Sequence, residues 1–162
     1  MPSQPQEERQ PEHQRQHQRQ AGPEQQPTGN ARPSSPVEVP DGIFERVNAL
    51  CLALPEVTVR VDASLTTTRS TAHSFDIRRR SFCLLVARAS HSGKPVPLLV
   101  LRAAPEDREA LLSIGRPFFA PHASGDRIGV LLGVDTDWQE IRELVVDSYR
   151  VLAPKKLTTL LD

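Results

Sequence analysis

Cysteine, charge of one sign and long apolar runs are all scarce in this chain, and each shortage excludes something. The 162 residues hold two cysteines, in unrelated contexts, as expected in a reducing compartment. Twenty Lys and Arg stand against twenty Asp and Glu, so the formal charge is zero and a strongly basic nucleic-acid binder is excluded. No apolar stretch approaches the roughly 20 residues that cross a bilayer. The first thirty residues have no apolar core of a secretory signal, so the cytoplasm is the expected compartment. Neither Gly-x-Ser-x-Gly nor Gly-x-Gly-x-x-Gly occurs. Gly93-Lys94 lacks the upstream glycine and the following Ser or Thr of a phosphate loop.

Proline and glutamine are plentiful, and they are concentrated at one end. Residues 1–36 contain nine Gln and seven Pro, but only Met1, Ala21 and Ala31 from the hydrophobic set. Such a segment cannot bury enough apolar area to offset its ordering entropy, so a disordered tail is expected over 1–36. Its four Arg and four Glu cancel, which leaves residues 37–162 formally neutral as well. That remainder has the size of one domain.

Hydrophobic spacing sets out the domain's elements. Asp41 is placed to cap a helix whose stripe is Phe44, Val47, Cys51 and Leu54, with Pro55 ending it. Val57, Val59 and Val61 alternate with polar residues, which predicts a strand with one face buried. Residues 64–71 are polar and fit either a loop or an edge strand. His73, Phe75 and Ile77 alternate, the turn Arg78-Arg79-Arg80 follows, and 81–87 is apolar on both faces; together these predict a hairpin with a central strand. Residues 90–97 read as a loop and 98–101 as a buried strand. Pro105, Glu106 and Asp107 suit a first helical turn and Gly115 its end. After a turn at 124–126, Ile128, Val130 and Leu132 alternate as the last strand. Thr136 and Gln139 have capping-box spacing, and Trp138, Ile141, Val145, Tyr149 and Leu152 share one face of a long helix meant to lie on the sheet. Pro154 interrupts it before a short final turn. The strands are too close together for helical crossovers between most of them. The fold class expected is therefore α+β, a mainly antiparallel sheet with helices packed on one face.

Four stretches carry a resemblance. They are residues 44–55 (FERVNALCLALP), 73–86 (HSFDIRRRSFCLLV), 116–132 (RPFFAPHASGDRIGVLL) and, most specific, 137–157 (DWQEIRELVVDSYRVLAPKKL). In these the chain resembles the MmcQ/YjbR family, described as DNA-binding proteins with a CyaY-like, frataxin-type fold. The likeness spans the expected domain and none of the tail. Two positions depart from the family pattern: Ile128-Gly129, where many members carry an aromatic beside the glycine, and His122-Ala123, where an aromatic is common. A frataxin-type fold would suggest iron handling through an acidic ridge, but no acidic run appears.

Candidate chemistry divides into three classes. For DNA, Arg78, Arg79 and Arg80 at the hairpin turn and Arg150, Lys155 and Lys156 near the C-terminus are the expected phosphate contacts; the plain alternative is that they are solvated turn and helix-end charges. Catalysis would need a thiol or hydroxyl beside a histidine, yet Cys51 falls on an apolar helical stripe and Cys83 inside a buried strand. His73 reads as a core or edge residue, and His91 and His122 lie in loops with no partner at metal-ligand spacing. His13 and His17 have the i, i+4 spacing of helical metal sites, but in a tail without a helix-forming core. No enzyme, cofactor or metal is expected. The third class is a protein-interaction module or homodimer acting through Phe118, Phe119 and His122, favoured if one of the adjacent phenylalanines is exposed.

Overall fold

The computed structural model describes residues 37–62, 70–122 and 125–162. The tail expected over 1–36 and most of the open stretch 64–71 lie outside the described residues. The elements run α1 (Asp41–Leu52), β1 (Val57–Val61), β2 (Ala72–Ile77), β3 (Arg80–Ala89), β4 (Pro95–Arg102), α2 (Pro105–Ile114), β5 (Phe118–Phe119), β6 (Arg127–Leu131), α3 (Trp138–Leu152) and α4 (Lys155–Thr158). Six strands form one sheet in the order β1-β2-β3-β4-β6-β5, with every strand pair antiparallel. The α+β class read from the sequence is the one found, and among the described residues no helix is long and apolar enough to cross a membrane.

Alternation along the strands decides which side chains meet the helices. Phe75 and Ile77 from β2, Leu85 and Ala87 from β3, Leu99 and Leu101 from β4, and Ile128 and Val130 from β6 pack with Val47 of α1 and Ile141, Val145 and Tyr149 of α3. This is the main core. The intervening residues Leu84, Leu98 and Val100 form a smaller cluster on the other face, joined by Val86, Leu131 and Phe119. A bulge interrupts the alternation, because Phe75 pairs with Cys83 while Asp76 pairs with Ser81. The extra residue, Phe82, joins Cys83 in the main core.

Several local expectations change. Helix α1 is preceded by Pro40 at its N-cap and has no side-chain cap; Asp41 is its first helical residue, where its charge still complements the helix dipole. For α3 the cap is Asp137, accepting from the amides of Gln139 (2.9 Å) and Glu140 (3.3 Å), while Thr136 instead accepts from the amide of Gly133. The loop expected over 90–97 is shorter, since Pro95 and Pro97 belong to β4. The β6 ladder begins only at Leu98, so the missing proline N–H groups are tolerated there. The expected buried face of β1 is only partly covered: Val59 and Val61 are exposed because β1 is the sheet's edge and α1 reaches its start.

The cysteines are not in unrelated surroundings after all. Helix α1 packs on β3, and the Cys83 thiol meets Cys51 in the core, both buried and unlinked. Burial first, and the Cys51 sulfur second, push Cys83 well above the usual thiol range.

Candidate nucleic-acid interface

The β2–β3 connection is the tightest a hairpin allows. Ile77 pairs with Arg80, leaving only Arg78 and Arg79 in the turn, and both have positive φ (47° and 66°). That is a type I′ turn, whose twist matches the flanking strands and whose two central positions favour Asn-Gly. Arginine at both costs roughly 1–2 kcal/mol per residue in the left-handed region. Arg78, Arg79 and Arg80 are all exposed at this tip. The Arg78 Nε donates to Glu56 Oε2 at 3.2 Å, and Glu56 itself has φ 58° at the end of the α1–β1 turn.

The same end of the sheet receives the last turn of α3. The Tyr149 hydroxyl donates to the carbonyl of Pro55 at 3.0 Å, beside Glu56. Burial, followed by the Glu56 charge, raises the Tyr149 phenol, and Arg78 acts in the opposite direction. Thus residues separated by more than seventy positions come together, and the hairpin tip and the α3 C-terminus share one end of the fold. Arg150 sits on the next position of α3, between two carboxylates, Asp147 Oδ1 at 3.6 Å and Asp162 Oδ1 at 3.2 Å. Lys155 and Lys156 open α4 and are exposed, with no ion pair among the described residues. Of the six expected phosphate contacts, Arg78 and Arg150 are therefore shared with acids; Arg79, Arg80, Lys155 and Lys156 are not.

The residues expected to meet a protein partner are placed differently from one another. Phe118 is buried in the main core, and Phe119, half-buried, turns to the other face and covers Gly129 across the β5–β6 pair. His122 is exposed. His73 is half-buried against the Phe44 ring, 4.7 Å between centroids, and its desolvation lowers the imidazole pKa against a smaller opposing effect of Glu38. His13 and His17 lie outside the described residues, among which no group of three or more His, Cys, Asp and Glu could hold a metal ion.

Three arginines and two aspartates, Asp62 and Asp126, border the other face of the sheet, where no described helix packs, and this grouping was not assigned from the sequence. Arg88, Arg102 and Arg127 border a cavity of about 580 Å³ floored by Leu84, Val86, Leu98 and Val100. Arg102 is held by Asp126 and by the carbonyl of Ser81 (2.9 Å). Burial and the Arg102 charge lower the Arg127 guanidinium. Nearby, Asp76 is buried but satisfied by Arg60 Nε at 2.5 Å and by the Ser74 hydroxyl at 2.6 Å. The signal was present in outline: Leu84-Val86-Arg88 and Leu98-Val100-Arg102 each run two apolar residues and an arginine at period two.

The YjbR family model matches residues 52–151. No curated protein matches the chain. Among solved structures, Deinococcus radiodurans protein DR2400, with the family-model domain DUF419, is similar at TM-score 0.55 and 16% identity, over 73% of this chain and 86% of that one. At that identity the likeness concerns the fold.

Proposed function

The chain belongs to the YjbR family, and we propose that within it this domain acts by binding rather than catalysis, making weak contacts to the phosphates of duplex DNA through the arginine hairpin. The observation that supports this reading is the pair of arginines at the two left-handed positions of a two-residue turn. Local conformation alone would favour Asn-Gly there, so the cost is retained for what the guanidinium groups do at the tip. Arg80 adds a third exposed cation, and the exposed Lys155 and Lys156 follow shortly after the last turn of α3, which reaches the same end of the sheet. Guanidinium groups on a rigid tip suit phosphate oxygens, and contacts of that kind position a protein without reading sequence. The neutral charge of the whole chain keeps such binding weak and confined to this end.

The reading as a non-enzyme draws on the candidate nucleophiles. Cys83 and Cys51 face each other in the core, and His73 packs at a tilt against Phe44, so neither thiol has a histidine base placed beside it among the contacts described. The protein-interaction alternative has less behind it, because Phe118 and Phe119 are spent on packing within the domain.

The test is the double variant R78N/R79G in the full chain, titrated against a labelled duplex at about 50 mM salt. Relief of the two left-handed arginines should make the variant more stable by about 1 kcal/mol or more, while its affinity for the duplex falls at least several-fold. A variant that gains stability and binds DNA as before overturns the proposal.

A further inference from the structure

Helices α1 and α3 do not close completely on one another. Between them runs a groove of about 660 Å³, with Leu50, Val146 and Leu161 among its apolar residues. Trp138, on the core-facing stripe of α3 as expected, packs against the main core but is only half-buried, and it borders this groove at the first residue of the helix. The Arg46 guanidinium lies over its ring, 5.1 Å from the centroid, and Arg142 follows one turn further along α3.

The charge lining the groove is of one sign. None of its lining residues is a carboxylate, and among the described residues neither Arg46 nor Arg142 forms an ion pair. Two exposed guanidinium groups beside an apolar trough suit an occupant with an anionic head and an apolar body. Size separates a small molecule from a protein. The α1 wall runs from Arg46 to Ala53, about 10 Å at 1.5 Å per residue, which is short for a partner surface of roughly 800 Å². The volume falls inside the roughly 300–1,000 Å³ of small-molecule sites.

We propose that this groove binds a small apolar carboxylate, its hydrocarbon part on Leu50, Val146 and Leu161 and its carboxylate held by Arg46 and Arg142. The site shares no residue with the hairpin tip, and the proposal does not depend on DNA binding.

Trp138 is the only tryptophan of the chain, so its emission reports the groove directly. The full chain is titrated with octanoate, and in parallel with octanol and octylammonium. The expected result is a saturable change with octanoate, a much weaker response to octanol and none to octylammonium. In R46Q/R142Q the dissociation constant should rise by about tenfold or more, and R46K/R142K should recover most of the loss. No saturable change with octanoate, an equal affinity for octanol, or an unchanged constant in R46Q/R142Q would each overturn the proposal. If R46Q/R142Q does not fold, the comparison of the three probes on the unaltered protein decides.

Discussion

Ser148 of α3 donates its hydroxyl proton to the main-chain carbonyl of Phe82 across 2.5 Å, at the residue where β3 bulges out of register with β2. The same oxygen accepts from the amide of Arg102 at 2.7 Å, just past the last β3–β4 pair, Cys83 with Leu101. One buried side chain thus satisfies two main-chain groups that lie where the ladders give out. It fastens α3 to two strands at the end of the sheet that carries the hairpin tip.

Removing that hydroxyl strands both groups. Ser148→Ala should lower the unfolding free energy by about 2–4 kcal/mol, since an unsatisfied buried polar group costs about 1–3 kcal/mol and two are created. Urea denaturation followed by circular dichroism measures it. A loss below about 0.5 kcal/mol would mean that water or a local shift replaces the hydroxyl.

Gly129 has a packing reason to be glycine. A Cβ built there would come within 2.3–2.6 Å of three carbons of the Phe119 ring that crosses it from β5. Gly129→Ala is expected to cost about 1–3 kcal/mol through overpacking. The penalty should shrink in a Phe119→Ala background, because the two positions share one contact. Additive losses in the double-mutant cycle would contradict this account of the pair.

How much of this was legible beforehand depended on whether a periodic pattern carried it. The alternation at Val57, Val59 and Val61, the basic turn after Ile77 and the apolar face of Ile141, Val145 and Tyr149 marked the strands, the hairpin and α3. Strand β5 has two residues, too few for any period, and its pairing with β6 became visible only in three dimensions. The bulge at Phe82 likewise puts Phe82 and Cys83 into the same core, against strict alternation. At the candidate site the arginines of the turn could be named, but Glu56 with Arg78 and Asp162 with Arg150 are long-range pairs that no spacing rule provides. Trp138 keeps to the core-facing stripe that the spacing predicts, but its half-exposure beside Arg46 of α1 is a long-range relation that the helical period does not carry.

The paired thiols make a prediction about reactivity. Both are buried and Cys83 is held protonated, so the native protein should resist iodoacetamide at pH 8 while both cysteines react in denaturant. Stability should also fall as pH rises above the unfolded thiol's value of about 8.5, because the unfolded chain then loses a proton that the folded one keeps. Fast alkylation of the folded protein, judged by mass spectrometry, would contradict the placement of Cys51 against Cys83.

His73 gives the opposite pH sign. Its folded-state pKa lies below the unfolded value, so its contribution is complete above about 6.5 and is lost as pH falls from there towards the lower folded value. The imidazole is only half-buried and the effect is correspondingly small. Comparing unfolding midpoints at pH 7.5 and pH 5.5 for the native chain and His73→Gln isolates it. The variant should lose less stability on acidification, and an equal loss in both would refute the assignment.

The proposed contact between the hairpin end of the domain and phosphates is read most simply from the salt dependence of duplex binding. The full chain is titrated against labelled duplex DNA at several salt concentrations between about 50 and 200 mM, and log K is plotted against log salt. With about four phosphate contacts the slope should be near −3.6, a loss of roughly 10² in affinity over that range, and Arg79→Glu with Arg80→Glu should flatten it. A slope near zero, no binding at about 50 mM salt, or a slope unchanged by the two substitutions would contradict the account.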